Sequence, residues 1–315
     1  MKVGVIGAGN MGENHVRAYA SLVDYCQLIG LYDTNKERGN EIANRYHINQ
    51  FDSLNELLEA VDIVSIAVPT EYHYEIGLAC IKHGVHMLME KPIASNVIQA
   101  KILTEKAKKA KVKLQVGHIE LYNPIINLLK NILDNEEIIA VDVHRMNSYN
   151  SKLLNVDIVQ DLMIHDIYIL RKLLDDKIIN FYAIGNHIHK HVVVIAEFEK
   201  GIIAQLTASF KSEEKTRTIR VITEKALIRV NLLDEKIEII RRPSTCHMKN
   251  ETDYHPEKII ESIDISNKNP LKTQLIDFIN CVKNDTTPLV TGEDGIKALT
   301  ICSKISEFIK KSSIV

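Results

Sequence analysis

The apolar positions of this chain follow two rhythms. From residue 2 to about residue 117, short apolar runs alternate with stretches of helical spacing. The runs are residues 3–6, 27–32, 50–51, 62–68, 85–89 and 113–116. Between them, residues 11–22, 36–46, 53–60, 71–83 and 95–110 carry the helical pattern. Ser53 with Glu56 three residues on has the form of a capping box. A run as continuously apolar as 62–68 suits a strand buried on both faces of a parallel sheet. Strands alternating with helices predict a doubly wound parallel sheet over residues 1–117.

Beyond residue 117 the order changes. A helix is expected at 121–133, a strand at 137–146, a polar loop at 148–155 and a helix at 158–174. Six strands follow at 178–186, 191–199, 202–210, 216–223, 226–231 and 236–240, with turns such as Lys200-Gly201 joining them as hairpins. Residues 241–268 read as one long polar loop. Two amphipathic helices, near 271–283 and 293–311, close the chain. The pattern predicts a second domain, residues 118–315, of α+β class with a large, mainly antiparallel sheet covered by helices on one face only. An uncovered sheet face usually finds a partner, so a homodimer or homotetramer through this sheet is expected.

Composition narrows the function classes. A length of 315 residues suits two domains. A formal net charge of −2 gives no electrostatic footprint for nucleic acid or an anionic membrane. No apolar run reaches the length of a membrane span. A strand beginning at residue 2 is inconsistent with a signal peptide. Cys26, Cys80, Cys246, Cys281 and Cys302 are scattered without a C-x-x-C pair, as expected for reduced thiols in a cytoplasmic protein.

Candidate chemistry begins where the first run breaks into Gly7-Ala8-Gly9-Asn10-Met11-Gly12. Between a strand and a helix this spacing binds a dinucleotide. Gly7 permits the tight turn, Gly9 lets a pyrophosphate approach the backbone, and Gly12 lets helix pack close on strand. The helix start at Asn10 and Met11 offers N–H groups and a positive dipole end to the phosphates. Asp33 stands 21 residues past Gly12, where such a unit places the acid that binds the ribose hydroxyls. A carboxylate there repels a 2′-phosphate and favours NAD, while nearby Lys36 and Arg38 keep NADP open. Pro69-Thr70 and Glu90-Lys91-Pro92 end the fourth and fifth runs, at the strand ends where ligands bind. Asp161 and His165, four apart, share a helix face, and histidine suits proton transfer near neutrality. His187-x-His189-x-His191 has the spacing of a metal site on a strand, but hydride chemistry needs no metal and the segment is expected to bend at a hairpin, so none is assigned.

Gly7-x-Gly9-x-x-Gly12, Glu90-Lys91-Pro92 and Asp161-x-x-x-His165, in this order and spacing, resemble the Gfo/Idh/MocA oxidoreductases, the family of glucose–fructose oxidoreductase and inositol dehydrogenase. The resemblance implies an NAD(P)-dependent dehydrogenase of a secondary hydroxyl on a sugar or polyol. It implies Lys91, Asp161 and His165 as the catalytic set. We take His165 as proton acceptor and Lys91 as the cation that steadies the alkoxide, roles that some members exchange. The bond before Pro92 is often cis in the family, and Glu90 would orient the nicotinamide side or Lys91. Val68-Pro69-Thr70-x-x-His73 resembles the cofactor loop, with Thr70 in place of the usual asparagine. His73 stands there either at the nicotinamide side or as the cap of its helix. Residues 116–124, V-G-H-I-E-L-Y-N-P, resemble V-G-H-x-E-R-F-N-P of the branch that oxidises C3 of UDP-N-acetylglucosamine and its uronate, as do His144-Arg145 and residues 161–166. This implies substrate contacts from His118, Glu120, Asn123 and Arg145 beside Lys91, Asp161 and His165; local capping and packing is the other reading of the first four. The branch arginine is Leu121 here and its phenylalanine Tyr122. An inositol, a free sugar or a sugar phosphate is the alternative substrate, and a cofactor-sensing regulator without catalysis the rival of another class.

Overall fold

The computed structural model describes residues 1–148, 156–186, 190–241, 259–264 and 269–312. The chain packs as two compact units, Met1–Tyr122 with Asn269–Ser303, and Asn123–Lys268 with Lys304–Val315.

The first unit is built on six parallel strands: β1 (Lys2–Ile6), β2 (Gln27–Tyr32), β3 (Asn49–Gln50), β4 (Ile63–Ile66), β5 (His86–Glu90) and β6 (Leu114–Gly117). Their order is β3-β2-β1-β4-β5-β6, the doubly wound arrangement predicted from the alternation. The connections are α1 (Asn10–Ala20), α2 (Lys36–Tyr46), α3 (Leu54–Ala60), α4 (His73–His83) and α5 (Val97–Lys109). All four residues of β4 are buried, as continuous apolar runs require. Side-chain caps start three helices: Asn35 accepts from the N–H of Arg38, Ser53 from Glu56 and Asn96 from Gln99. Order reverses between β1 and β4, so their carboxyl ends flank the switch point where such sheets take ligands.

The packing differs from a division at residue 117. The helix α8 (Pro270–Lys283) and the first part of α9 (Gly292–Ser312) belong to the first unit. Leu271, Leu275, Phe278 and Ile279 form one apolar stripe of α8. That stripe joins Val3, Val5, Val16, Leu31 and Leu88 in a single buried cluster. A parallel sheet needs cover on both faces, and α8 lies beside α1 to supply it. Sequence order alone places α8 with the second domain; packing places it with the first unit.

The second unit holds an eight-stranded sheet: β7 (Ile138–Ser148), β8 (Ile178–Gly185), β9 (His191–Phe198), β10 (Ile203–Ser212), β11 (Thr216–Thr223), β12 (Ala226–Asn231), β13 (Lys236–Arg241) and β14 (Ile259–Asp264). The order is β14-β13-β12-β11-β7-β10-β9-β8, antiparallel except for the parallel pair β7–β10. The strand β14 corrects the reading of 241–268 as a loop: residues 259–264 pair with β13 from Lys236 to Arg241. Its Ile-Ile-Glu-Ser-Ile-Asp composition is β-prone, but only the edge of β13 makes it a strand. The rest of that segment, 242–258 and 265–268, lies outside the described residues, as do 149–155.

Two helices also differ from expectation. The helix expected at 121–133 is divided: a 3₁₀ turn spans Ile119–Tyr122, and α6 runs Pro124–Leu133. Pro124 cannot donate to a preceding turn but suits the first helical position, and the Asn123 side chain caps the start by accepting from the N–H of Ile125. The helix expected at 158–174 opens as a π-helical turn, Val159–Met163, before α7 (Ile164–Leu174).

Candidate active site

At the glycine turn the three roles read from spacing take physical form. Gly7 has φ +100°, and a Cβ there would overlap the carbonyl oxygen of Ala67. A Cβ on Gly12 would overlap the carbonyl oxygen of Gly7. A Cβ on Gly9 would meet nothing within 4 Å, so open space lies over the middle glycine. Gly9 also caps α1 with no side-chain hydrogen bond, and the first helical bond is donated by Glu13 to Gly9. The N–H groups at Asn10, Met11 and Gly12 precede that bond and point into the open space's end of the helix. The turn therefore fits a pyrophosphate.

Asp33, just past β2, is oriented by two backbone donors. Ala8 N–H donates to it at 2.5 Å and Asn35 N–H at 2.7 Å. A carboxylate has about four acceptor positions, so it keeps capacity for ribose hydroxyls. Pro69 and Thr70 lie just past β4, with Thr70 opening a 3₁₀ turn, Thr70–Tyr72, that leads into α4.

The ends of β5 and β6 gather Glu90, Lys91 and His118. The Lys91–Pro92 peptide bond is cis. Glu90 is 8 % exposed, and its Oε1 lies 3.0 Å from Nε2 of His15, which is fully buried. His15 was not singled out from the sequence, although a polar residue on the buried stripe of α1 is a signal that could have marked it. Gly117 pairs with Glu90 across the strands, and a Cβ there would stand 3.0 Å from the Glu90 carboxyl carbon. Glycine thus makes room for the buried acid. His118 is buried beside Lys91; burial first and the Lys91 charge second push its imidazole from 6.5 down to about 3. It is neutral at any physiological pH.

His73 is held between two backbone carbonyls. Its Nδ1 lies 2.8 Å from the carbonyl oxygen of Pro92 and its Nε2 3.0 Å from that of Val68. Burial lowers its pKa, so one ring nitrogen donates while the other faces a carbonyl. The ring joins the end of β4 to the Glu90-Lys91-Pro92 segment. Glu120 lies half-buried in the 3₁₀ turn Ile119–Tyr122.

In the second unit, Asp161 sits within the π-helical turn and His165 in the first turn of α7, both half-buried. Asp157, unremarked in the sequence, caps this start through hydrogen bonds from the N–H groups of Val159 at 2.9 Å and Gln160 at 3.2 Å. Arg145, expected to contact substrate, is 3 % exposed and donates from Nε to both carboxylate oxygens of Asp166 at 2.8 and 2.9 Å. It ties β7 to the turn that carries His165. Asn123 likewise serves as the cap of α6. Among the described residues no group of histidine, cysteine and acidic side chains is arranged to hold a metal. His187 and His189 lie outside them.

A doubly wound sheet with this glycine turn and ribose acid defines a dinucleotide-binding protein. Residues 1–118 match the model of the oxidoreductase family with the NAD-binding Rossmann fold, and residues 140–229 that of the Gfo/Idh/MocA C-terminal domain. The chain belongs to the Gfo/Idh/MocA family of NAD-binding oxidoreductases. It is 27 % identical to UDP-N-acetylglucosamine 3-dehydrogenase of Acidithiobacillus ferrooxidans over 97 % of this chain and 96 % of that one. The crystal structure of an enzyme of that name from the same organism superposes with a TM-score of 0.89, covering 99 % of each chain at 26 % identity. Myo-inositol 2-dehydrogenase of Thermotoga maritima is 25 % identical over 96 % of this chain and 94 % of its own length.

Two measurements follow. His118 is held neutral in the fold, so as pH falls the unfolded chain takes up its proton first. Its contribution to stability is present above about pH 6.5 and drains away between there and about pH 3, at about 1.4 kcal/mol per pH unit. Denaturant unfolding followed by circular dichroism is expected to show that slope reduced in His118→Asn. For the His15–Glu90 pair, a double-mutant cycle of His15→Ala and Glu90→Gln should give a coupling of about 1.5–3 kcal/mol, the range for a hydrogen bond to a charged group. A coupling near zero would remove His15 from the site's architecture.

Proposed function

We propose that the protein oxidises a secondary hydroxyl of a sugar, with C3 of a UDP-N-acetylhexosamine as the substrate position. The observation that carries this reading is the similarity to the UDP-N-acetylglucosamine 3-dehydrogenase over 97 % of the chain. NAD, when bound, accepts the hydride. His165 takes the hydroxyl proton, Asp161 sets the state of that imidazole, and Lys91 stabilises the developing alkoxide by charge. The neutral His118 beside Lys91 adds no second positive charge there. A polyol such as an inositol is the second reading. It is supported by the likeness to the inositol dehydrogenase and by Leu121, which stands where the branch resemblance has arginine.

NADH absorbance distinguishes them. With UDP-N-acetylglucosamine, a free hexose, a hexose phosphate and myo-inositol as substrates, the nucleotide sugar is expected to turn over fastest; brisk turnover of myo-inositol with none of the nucleotide sugar reverses the order of the two readings. In either case His165→Ala should lose about 10²–10⁴-fold in kcat, the usual contribution of a positioned general base, while still binding NADH. Unchanged turnover in His165→Ala would overturn its role.

We also propose that the open face of the eight-stranded sheet is a homo-oligomer interface. The strand registers align Ile203, Ala140, Ile222, Leu227, Ile240 and Ile260 into one apolar row across six strands. Ile203 is 54 % exposed and Ile260 61 %. The next row carries Asp142, Arg220, Arg229 and Glu238, both signs of charge, as a self-complementary contact requires. A groove of about 450 Å³ on this same face runs among Asp142, His144, Arg220 and Lys236. It lies on the side of β7 opposite Arg145, because successive side chains of a strand alternate. Light scattering should give a dimer or larger for the unaltered chain and a monomer for Ile203→Asp with Leu227→Glu. A monomeric unaltered chain would refute the interface.

A further inference from the structure

Four charged side chains between α1 and α2 form a closed ring. Arg38 Nη2 donates to Glu13 Oε2 at 2.5 Å, and its Nη1 to Glu41 Oε2 at 2.6 Å. Arg45 Nη1 donates to Glu13 Oε1, and its Nη2 to Glu41 Oε1 at 2.7 Å. Each carboxylate oxygen of the two acids receives one guanidinium nitrogen. The third edge of Arg38 is also used: Nε donates to the carbonyl oxygen of Ala8 at 3.1 Å.

Ala8 places this ring. It is the residue of the glycine turn whose N–H donates to Asp33, so one residue is held by Asp33 on its N–H and by Arg38 on its carbonyl. Arg38 is therefore a neighbour of the acid that reads the ribose. An arginine so placed is the ordinary means of accepting a 2′-phosphate. Here its fork is turned away onto two carboxylates and a carbonyl, and the ring's two acids balance its two arginines. Lys36, the other nearby cation, pairs with Asp52 at 2.9 Å.

We propose that Glu13 and Glu41 are specificity-determining residues for the cofactor: by keeping Arg38 within the ring they withhold its guanidinium from the ribose 2′ position and leave Asp33 to select NAD over NADP. The inference concerns the cofactor end of the site and stands whichever sugar is oxidised. A ring that served only to tie α1 to α2 would affect stability and leave selectivity alone, and the two roles separate by measurement.

The test is equilibrium binding of NADH and NADPH, read by nicotinamide fluorescence without turnover, with a melting temperature for every variant. The unaltered chain should bind NADH more tightly than NADPH. Asp33→Ser should weaken NADH. Adding Glu13→Gln and Glu41→Gln to Asp33→Ser should tighten NADPH by roughly tenfold beyond Asp33→Ser alone, the effect of one new charge-assisted contact. Adding Arg38→Gln to that variant should abolish the gain. A gain below about threefold overturns the proposal, as does a gain that survives Arg38→Gln, because loss of negative charge alone would then explain it. Tighter NADPH than NADH binding by the unaltered chain overturns it as well. If the triple variant does not fold, Glu13→Gln in the Asp33→Ser background, with and without Arg38→Gln, is read by the same criteria.

Discussion

Because the carbonyl oxygen of Gly7 lies where a Cβ of residue 12 would stand, α1 reaches its position over β1 only with glycine at residue 12. Much of the first unit is referred to that helix. Its first turn ends the open space over Gly9. Glu13, on the next residue, enters the ring with Arg38. His15 meets Glu90 at the end of β5. Tyr19 reaches Ser65 of β4 with its hydroxyl, 2.9 Å away in the buried interior. A helix held off by one methyl group would shift all three contacts together, so the motif glycine acts through the whole face of α1.

Two buried carboxylates flank the proposed catalytic residues, each facing a nitrogen donor. Glu90 with His15 and Arg145 with Asp166 each place a carboxylate out of water against a nitrogen donor. Such pairs add little net stability, since desolvation offsets the attraction, yet removing one member costs about 3–5 kcal/mol because the other is left uncompensated. Their effect is to fix position. One pair sets the residue before Lys91, the other the residue after His165. His118 shows the converse: burial first, and the charge of Lys91 second, keep it neutral.

What could be read from the sequence was what depends on local spacing. The glycine turn, Asp33 and the Glu90-Lys91-Pro92 end of β5 follow from residues that lie near one another in the chain and from the alternation of strand and helix. What depends on distant partners was not legible. Residues 259–264 become a strand because β13 offers an edge. The helix α8 covers the first sheet because its apolar stripe packs into one buried cluster with residues of α1 and the first strands. The bond from Arg145 to Asp166 joins residues 21 apart in the chain and has no local signal. The π-helical turn carrying Asp161 leaves the spacing to His165 unchanged in sequence and alters only the backbone, so no residue pattern announces it.

Leu121 is the position where resemblance and packing pull apart. It is 7 % exposed, in a turn that packs on α8, and the adjoining Tyr122 donates its hydroxyl to Asp277 of that helix at 2.8 Å. The turn is thus held from α8 with an apolar side chain beneath it, and an arginine on the same backbone would bring a charge into that contact. Among the candidate substrate residues the strong cations are Lys91 and Arg145, and Arg145 donates to Asp166 through Nε. A nucleotide sugar carries the negative charge of a diphosphate, whereas an inositol carries none. The departure at residue 121 therefore bears on how the charge of the proposed nucleotide sugar would be met, and leaves untouched Lys91, Asp161 and His165, the residues proposed for the proton transfer.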